Sequence, residues 1–106
     1  LLKLKAMKTF KDLTFKPHPS GDGEQAVLHF DNGRAVSVIT GGIMLLTSDD
    51  KPYEVGFITK DGKLGCVYIN KGSNSVALAE DADHNDVEGF CTAEDVTLIM
   101  KAIQIL

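Results

Sequence analysis

At 106 residues, with 43% hydrophobic and 25% charged residues, the chain has the size and composition of a single globular domain. Its formal net charge of -4 gives no general footprint for nucleic acid, which needs clustered Lys and Arg. No apolar run approaches the roughly 18 residues that span a bilayer, and two cysteines, Cys66 and Cys91, are too few for a disulfide scaffold.

The amino-terminal segment is basic. Residues 1–16 carry Lys3, Lys5, Lys8, Lys11 and Lys16 against the single acid Asp12. The opening LLKLKAMK has neither the apolar core nor the small-residue cleavage site of a secretory signal, so a cytoplasmic location in a host cell is expected. Met7-Lys8-Thr9 reads as a natural start, making residues 1–6 a remnant of an upstream sequence or of cloning. LTFK, residues 13–16, can form a strand, and KPHPSGDGE, residues 16–24, must be loop because prolines flank His18 and two glycines follow.

AVLHFDNGRAVSVI, residues 26–39, predicts a hairpin. Asn32-Gly33 suits a two-residue type I′ turn, in which both residues take positive φ. Closing it with Asp31 opposite Arg34 sets Phe30 against Ala35, His29 against Val36 and Val27 against Val38. Gly41-Gly42 predicts a bulge or bend, after which Ile43 to Leu46 continue the strand. YEVGFITKDGKLGCVYIN, residues 53–70, predicts a second hairpin turning at Asp61-Gly62. Its register pairs Phe57 with Cys66 and Val55 with Tyr68, which makes Cys66 a core thiol. Gly56 and Gly65 then share the opposite face, leaving a shallow place for a helix or a partner. VALA, residues 76–79, is a short further strand.

The chain closes with an amphipathic helix over 92–106. Thr92 stands at the N-cap, Glu94 and Asp95 lie in the first turn, and Asp95 occupies the capping-box position normally held by Glu or Gln. Val96, Ile99, Met100, Ile103 and Leu106 repeat at helical spacing, whereas Leu98 and Ile105 lie off that stripe. The expected architecture is α+β: an antiparallel β-meander of about four to six strands in one domain, residues 1–106, with the carboxy-terminal helix packed on one face.

The acidic counterpart of the basic opening is EDADHNDVEGF, residues 80–90, within a stretch (80–95) that has no Lys or Arg. Asp81, Asp83 and Asn85 match the first alternate ligands of an EF-hand loop. Position 6 is then Asp86 where Gly is required, and position 12 is Thr92 where a bidentate Glu is required. It is not an EF-hand. Asp81, Asp83, Asp86 and Glu88 remain as a candidate acidic surface for a protein partner, against the plainer alternative of a solvated loop. His18, His29, His84 and the two cysteines lack the short spacings of zinc sites, so no metal or cofactor is expected. Of the two cysteines Cys91 is the better candidate for a reactive thiol, because it precedes a helix N-terminus, but an ordinary buried Cys is the stronger expectation for it. His29 reads as a partly buried strand residue. No G-x-G-x-x-G, P-loop or G-x-S-x-G motif occurs. Phe10 and Phe15 among the lysines are the one trace of a nucleic-acid platform.

MKTFKDLTFKPHP (7–19), QAVLHFDNGRAVSV (25–38) and GFCTAEDVTLIMKAIQIL (89–106) resemble small bacteriophage and prophage proteins for which no activity is established. The resemblance covers most of the chain from Met7 except residues 40–80, and it implies genomic company without assigning any residue a role. Taken together, the expectation is a small non-enzymatic accessory protein, borne by a phage or mobile element, that binds a host or phage protein, with anti-defence inhibition as one form. The alternatives are a self-associating structural module, through Leu98 and Ile105, a sheet edge or the Gly56/Gly65 face, and a small ligand- or metal-binding domain. Nucleic acid and membranes are not expected partners.

Overall fold

A computed structural model describes residues 6–80 and 85–106. A 3-10 turn at Phe10–Asp12 is followed by β1 (Lys16–Pro17), β2 (Glu24–His29), β3 (Ala35–Thr40), β4 (Tyr53–Ile58), β5 (Cys66–Asn70), β6 (Ser75–Ala79), β7 (Glu88–Cys91) and the helix α1 (Ala93–Gln104). Strands β1-β2-β3-β4-β7 form a five-stranded antiparallel sheet, and β5-β6 form a separate two-stranded ribbon. The fold is α+β, with α1 touching both the sheet and the ribbon.

Helix α1 starts as its sequence dictates. Thr92 Oγ1 accepts the Asp95 N–H at 3.1 Å and Asp95 Oδ2 accepts the Thr92 N–H at 3.0 Å, so the box closes with the shorter acid. Val96, Ile99, Met100 and Ile103 are fully buried against Val36, Val38, Val55 and Phe57 of the sheet and Val67 of the ribbon. Burial of such side chains contributes about 1.5–3 kcal/mol each, the main force closing the fold. Leu106, expected on that stripe, is exposed, because the helix ends at Gln104. Ile105 is exposed and Leu98 half-buried.

Both hairpins exist as turns, but their registers differ from expectation. Gly33 donates to the Phe30 carbonyl and Phe30 to the Arg34 carbonyl, closing a three-residue loop in which Gly33 alone takes positive φ (84°). Asn32 keeps negative φ, and its Nδ2 donates to the Ile103 carbonyl at 2.8 Å, satisfying the end of α1. The extra residue slips the register by one, so His29 faces Ala35 and Ala26 faces Val38. The slip swaps the faces and sends Ala26, Val36 and Val38 into the core, leaving His29 exposed instead of partly buried.

The second turn repeats the geometry, with Gly62 at φ 78° and Thr59 bonded to Lys63. Beyond it the strands part. Gly65 still donates to the Phe57 carbonyl, but β5 then leaves β4 and pairs with β6 through Val67↔Leu78 and Ile69↔Val76. Val67 and Ile69 point inward, so Cys66 is half-exposed and Tyr68 is 59% exposed, reversing the expected core position of Cys66. Gly56 and Gly65 do not share an open face. A Cβ on Gly56 would stand 2.9 Å from Leu64, and one on Gly65 3.0 Å from the Phe57 ring. The chain fills both places itself.

Residues 6–15 are docked onto α1. Lys8 and Gln104 exchange two hydrogen bonds at 2.8 and 2.9 Å, and the Phe10 N–H donates to Thr97 at 3.1 Å. Phe10, Phe15 and Tyr53 pack together with ring centroids 5.0–6.0 Å apart, against the core. These aromatics are thus half-buried, packed on one another and against the core. Of the predicted strand 13–16, the regular part is Lys16–Pro17, which also carries β1 into the expected loop.

Candidate functional site

The expected continuation of β3 through Ile43 to Leu46 does not form. Strand β3 ends at Thr40, Gly41 takes φ 76°, and residues 43–46 make an outward loop. Its backbone is tied at three points. Both Asp22 carboxylate oxygens accept the Ile43 N–H (3.1 and 3.0 Å), Glu54 Oε2 accepts the Leu46 N–H (2.9 Å), and the Leu46 carbonyl accepts the Phe90 N–H (2.7 Å). Leu45 turns inward over Gly42. The consequence is an apolar projection: Ile43 is 88% exposed, Met44 87%, Leu46 53% and Phe90 45%.

Phe90 reaches this position through an uncommon backbone. Its φ is 52°, a left-handed value that costs an ordinary residue roughly 1–2 kcal/mol. The ladder between β4 and β7 is irregular at the same place, between Tyr53 and Val55. The Lys71 ammonium donates to the Phe90 carbonyl and lies 3.5 Å from Asp95 Oδ2, so one cation braces β7 and the start of α1. Gly89 is needed beneath Leu46: a Cβ there would be 2.5 Å from the Leu46 Cβ and 2.7 Å from its carbonyl oxygen. The strain throws Phe90 outward while Cys91 is fully buried.

The expected acidic surface is only partly a surface. Asp81 and Asp83, together with His84, lie outside the described residues. Asp86 is exposed, and its carbonyl accepts the Val67 N–H at 3.2 Å. Glu88 is half-buried, and loss of water raises its pKa, opposed by the Ile69 backbone N–H and by Lys71. Glu80 is paired with Arg34. The acidic run is thus partly bound into the fold, and its far end meets the apolar loop at Gly89-Phe90.

The thiol and imidazole candidates resolve differently. Cys91 is not activated: burial first, and the nearby Asp95 second, push its thiol up to about 12. The helix terminus does not prevail there, because the sulfur sits in the core and its weak bonds go to the Glu88 and Gly89 carbonyls at 3.7 and 3.6 Å. His29 lines an open cleft of about 390 Å³ with Lys8, Asp31, Asn32 and Gln104. The Asn32 and Gln104 amides are already committed to Ile103 and Lys8, and the described lining contains no Ser, Thr or Cys. His18 Nδ1 bonds to Ser20 at 2.8 Å. Among the described residues, no group of three or more His, Cys, Asp or Glu side chains is placed to hold a metal ion, and no helix is long and apolar enough to cross a membrane.

The sequence held a signal for the loop that periodicity obscured. IMLL is an apolar run between Gly-Gly and Ser-Asp-Asp, as consistent with a projecting loop as with a buried strand. Phe90 carried none, since its exposure depends on a backbone angle. No family model matches the chain, and neither does any curated protein or solved structure.

Proposed function

We propose that this chain is a non-enzymatic accessory protein, borne by a phage or mobile element, that acts by binding a partner protein through residues 43–46 and Phe90. The observation that carries the reading is the exposure of Ile43 and Met44 on a backbone held by Asp22 and Glu54. Neighbouring large apolar side chains left in water are unfavourable in a monomer and mark interaction sites. A loop already ordered before encounter loses less entropy on binding than a floppy one. Asp22, Glu54 and Glu88 lie around it in the hydrogen-bond network or along β7, with Asp86 exposed further along the same segment. The chemistry that fits is an apolar recess on a protein rimmed by Lys or Arg, with the acids speeding encounter and setting orientation. Occupying a basic groove is how such a protein would act as an anti-defence inhibitor.

The test is capture from a lysate of the source cells with wild-type protein, with Ile43→Asp plus Met44→Asp, and with Asp86→Lys. Losing two buried apolar side chains at about 1.5–3 kcal/mol each weakens binding by about 100-fold or more. The double variant should therefore lose the captured protein, Asp86→Lys should weaken capture mainly at low salt, and both should melt within a few degrees of wild type. A partner retained at full strength by the double variant would refute this assignment of the site.

A further inference from the structure

The molecule has four edge strands among its described residues, and they are not treated alike. At one side of the five-stranded sheet, β1 is two residues long and contains Pro17, which has no N–H to offer. At the other, β7 is interrupted by the positive φ of Phe90, whose N–H is consumed by the Leu46 carbonyl. Short length, proline and local distortion are the ordinary means by which proteins stop strand edges from pairing. In the ribbon, β5 is partly covered where its Val67 N–H bonds to the Asp86 carbonyl. Strand β6 has none of these protections. It runs five residues as Ser75-Val76-Ala77-Leu78-Ala79, with no charge, proline or bulge, and it pairs on one side only, with β5.

We infer that β6 pairs antiparallel with β6 of a second copy of this chain, joining two ribbons into one four-stranded sheet. The occupant is chosen by three features. First, the strand is self-complementary about Ala77: Val76 meets Leu78 of the second copy, Ala77 meets Ala77, and Ser75 meets Ala79. Apolar side chains thus adjoin on the half-buried side and small ones on the exposed side. Second, the charges fit a copy. Glu80, already paired with Arg34, falls opposite the neutral Asn74, so among the described residues 74–80 no two like charges are set opposite one another. Third, recognition of a foreign strand draws its specificity from pockets beside the edge, whereas the outward neighbours here are Ala77 and Ala79, with the flat ring of Tyr68 on the adjoining strand. The interface is small, so the dimer dissociates on dilution.

Sedimentation of the full chain from about 1 µM to about 1 mM, a range set by the affinity expected of a small interface, should show a reversible shift from 11.4 kDa toward twice that mass. Ala77 is exposed, so Ala77→Lys and Ala77→Glu are tolerated by the fold, and each alone should weaken association by about five-fold or more through like charges set directly opposite. An equimolar mixture of the two should restore it, which a folding defect could not do. A wild-type chain monomeric throughout, a dimer indifferent to Ala77→Lys, or a mixture that fails to associate would each overturn the proposal. None of these outcomes depends on residues 43–46, so this inference and the proposed function fail separately.

Discussion

The turns at Gly33 and Gly62 are nearly the same local object, yet the strands they join behave differently. Each is a three-residue loop with one glycine at positive φ and the same pair of backbone hydrogen bonds. After the first, β2 and β3 stay paired from His29↔Ala35 to Glu24↔Thr40. After the second, pairing ends near Gly65, and β5 crosses the Phe57 ring to close over the helix. Turn chemistry decides how a chain reverses. What lies on each face decides how far the strands remain together, and here a hydrophobic helix needed covering from a second direction.

The most damaging way to break this arrangement is Phe57→Ala. Phe57 is fully buried where sheet, ribbon crossing and α1 meet, and its loss should cost about 3–5 kcal/mol in urea denaturation. A loss below about 1 kcal/mol would mean the two halves do not share a core. Gly65→Ala acts on the crossing itself. Its Cβ would stand 2.7 Å from the Ala79 carbonyl oxygen, a backbone atom that cannot swing aside, and a cost of about 1–3 kcal/mol is expected. That loss should appear with faster amide exchange in β5 and β6. Gly33→Ala and Gly62→Ala sharpen the comparison from the other side. Neither meets a close atom, so each should cost about 1–2 kcal/mol from positive φ alone, and by equal amounts. Unequal costs would show that the turns are not equivalent.

The smallest effect concerns Cys91. Because folding raises its pKa, the stability it contributes is complete below the unfolded value of about 8.5 and fades as pH rises toward about 12. In native protein at pH 8, a thiol reagent should modify the half-exposed Cys66 and spare Cys91. Prompt labelling of Cys91 would contradict its burial.

Much of this fold could be read from residue order. The Thr92 cap, the buried stripe of α1, both glycine turns and the Ala-rich strand 76–79 follow from local chemistry. The register of the first hairpin did not, because the Asn32 amide serves two places at once, accepting the Arg34 N–H within its turn at 3.1 Å and donating to the Ile103 carbonyl at the far end of α1. Nor did the inward turn of Val67 and Ile69, since Cys66 and Tyr68 make an equally apolar alternate face. The candidate site was hidden further still. Exposure of Ile43, Met44 and Leu46 depends on carboxylates from Asp22 and Glu54, 21 and 8 residues away from the amides they accept, and that of Phe90 on its left-handed backbone. In the acidic segment, composition left a docking surface and a solvated loop both open, and pairing of Glu80 and partial burial of Glu88 set those two acids apart from the exposed Asp86.

Amide hydrogen exchange at Ile43 and Leu46 in the isolated protein tests most directly whether the apolar loop is built before any partner arrives. Both amides should exchange well below the rate of an unstructured peptide, with Asp22→Ala releasing Ile43 and Glu54→Ala releasing Leu46. Exchange at the unstructured rate in the wild-type protein would contradict a preformed binding loop.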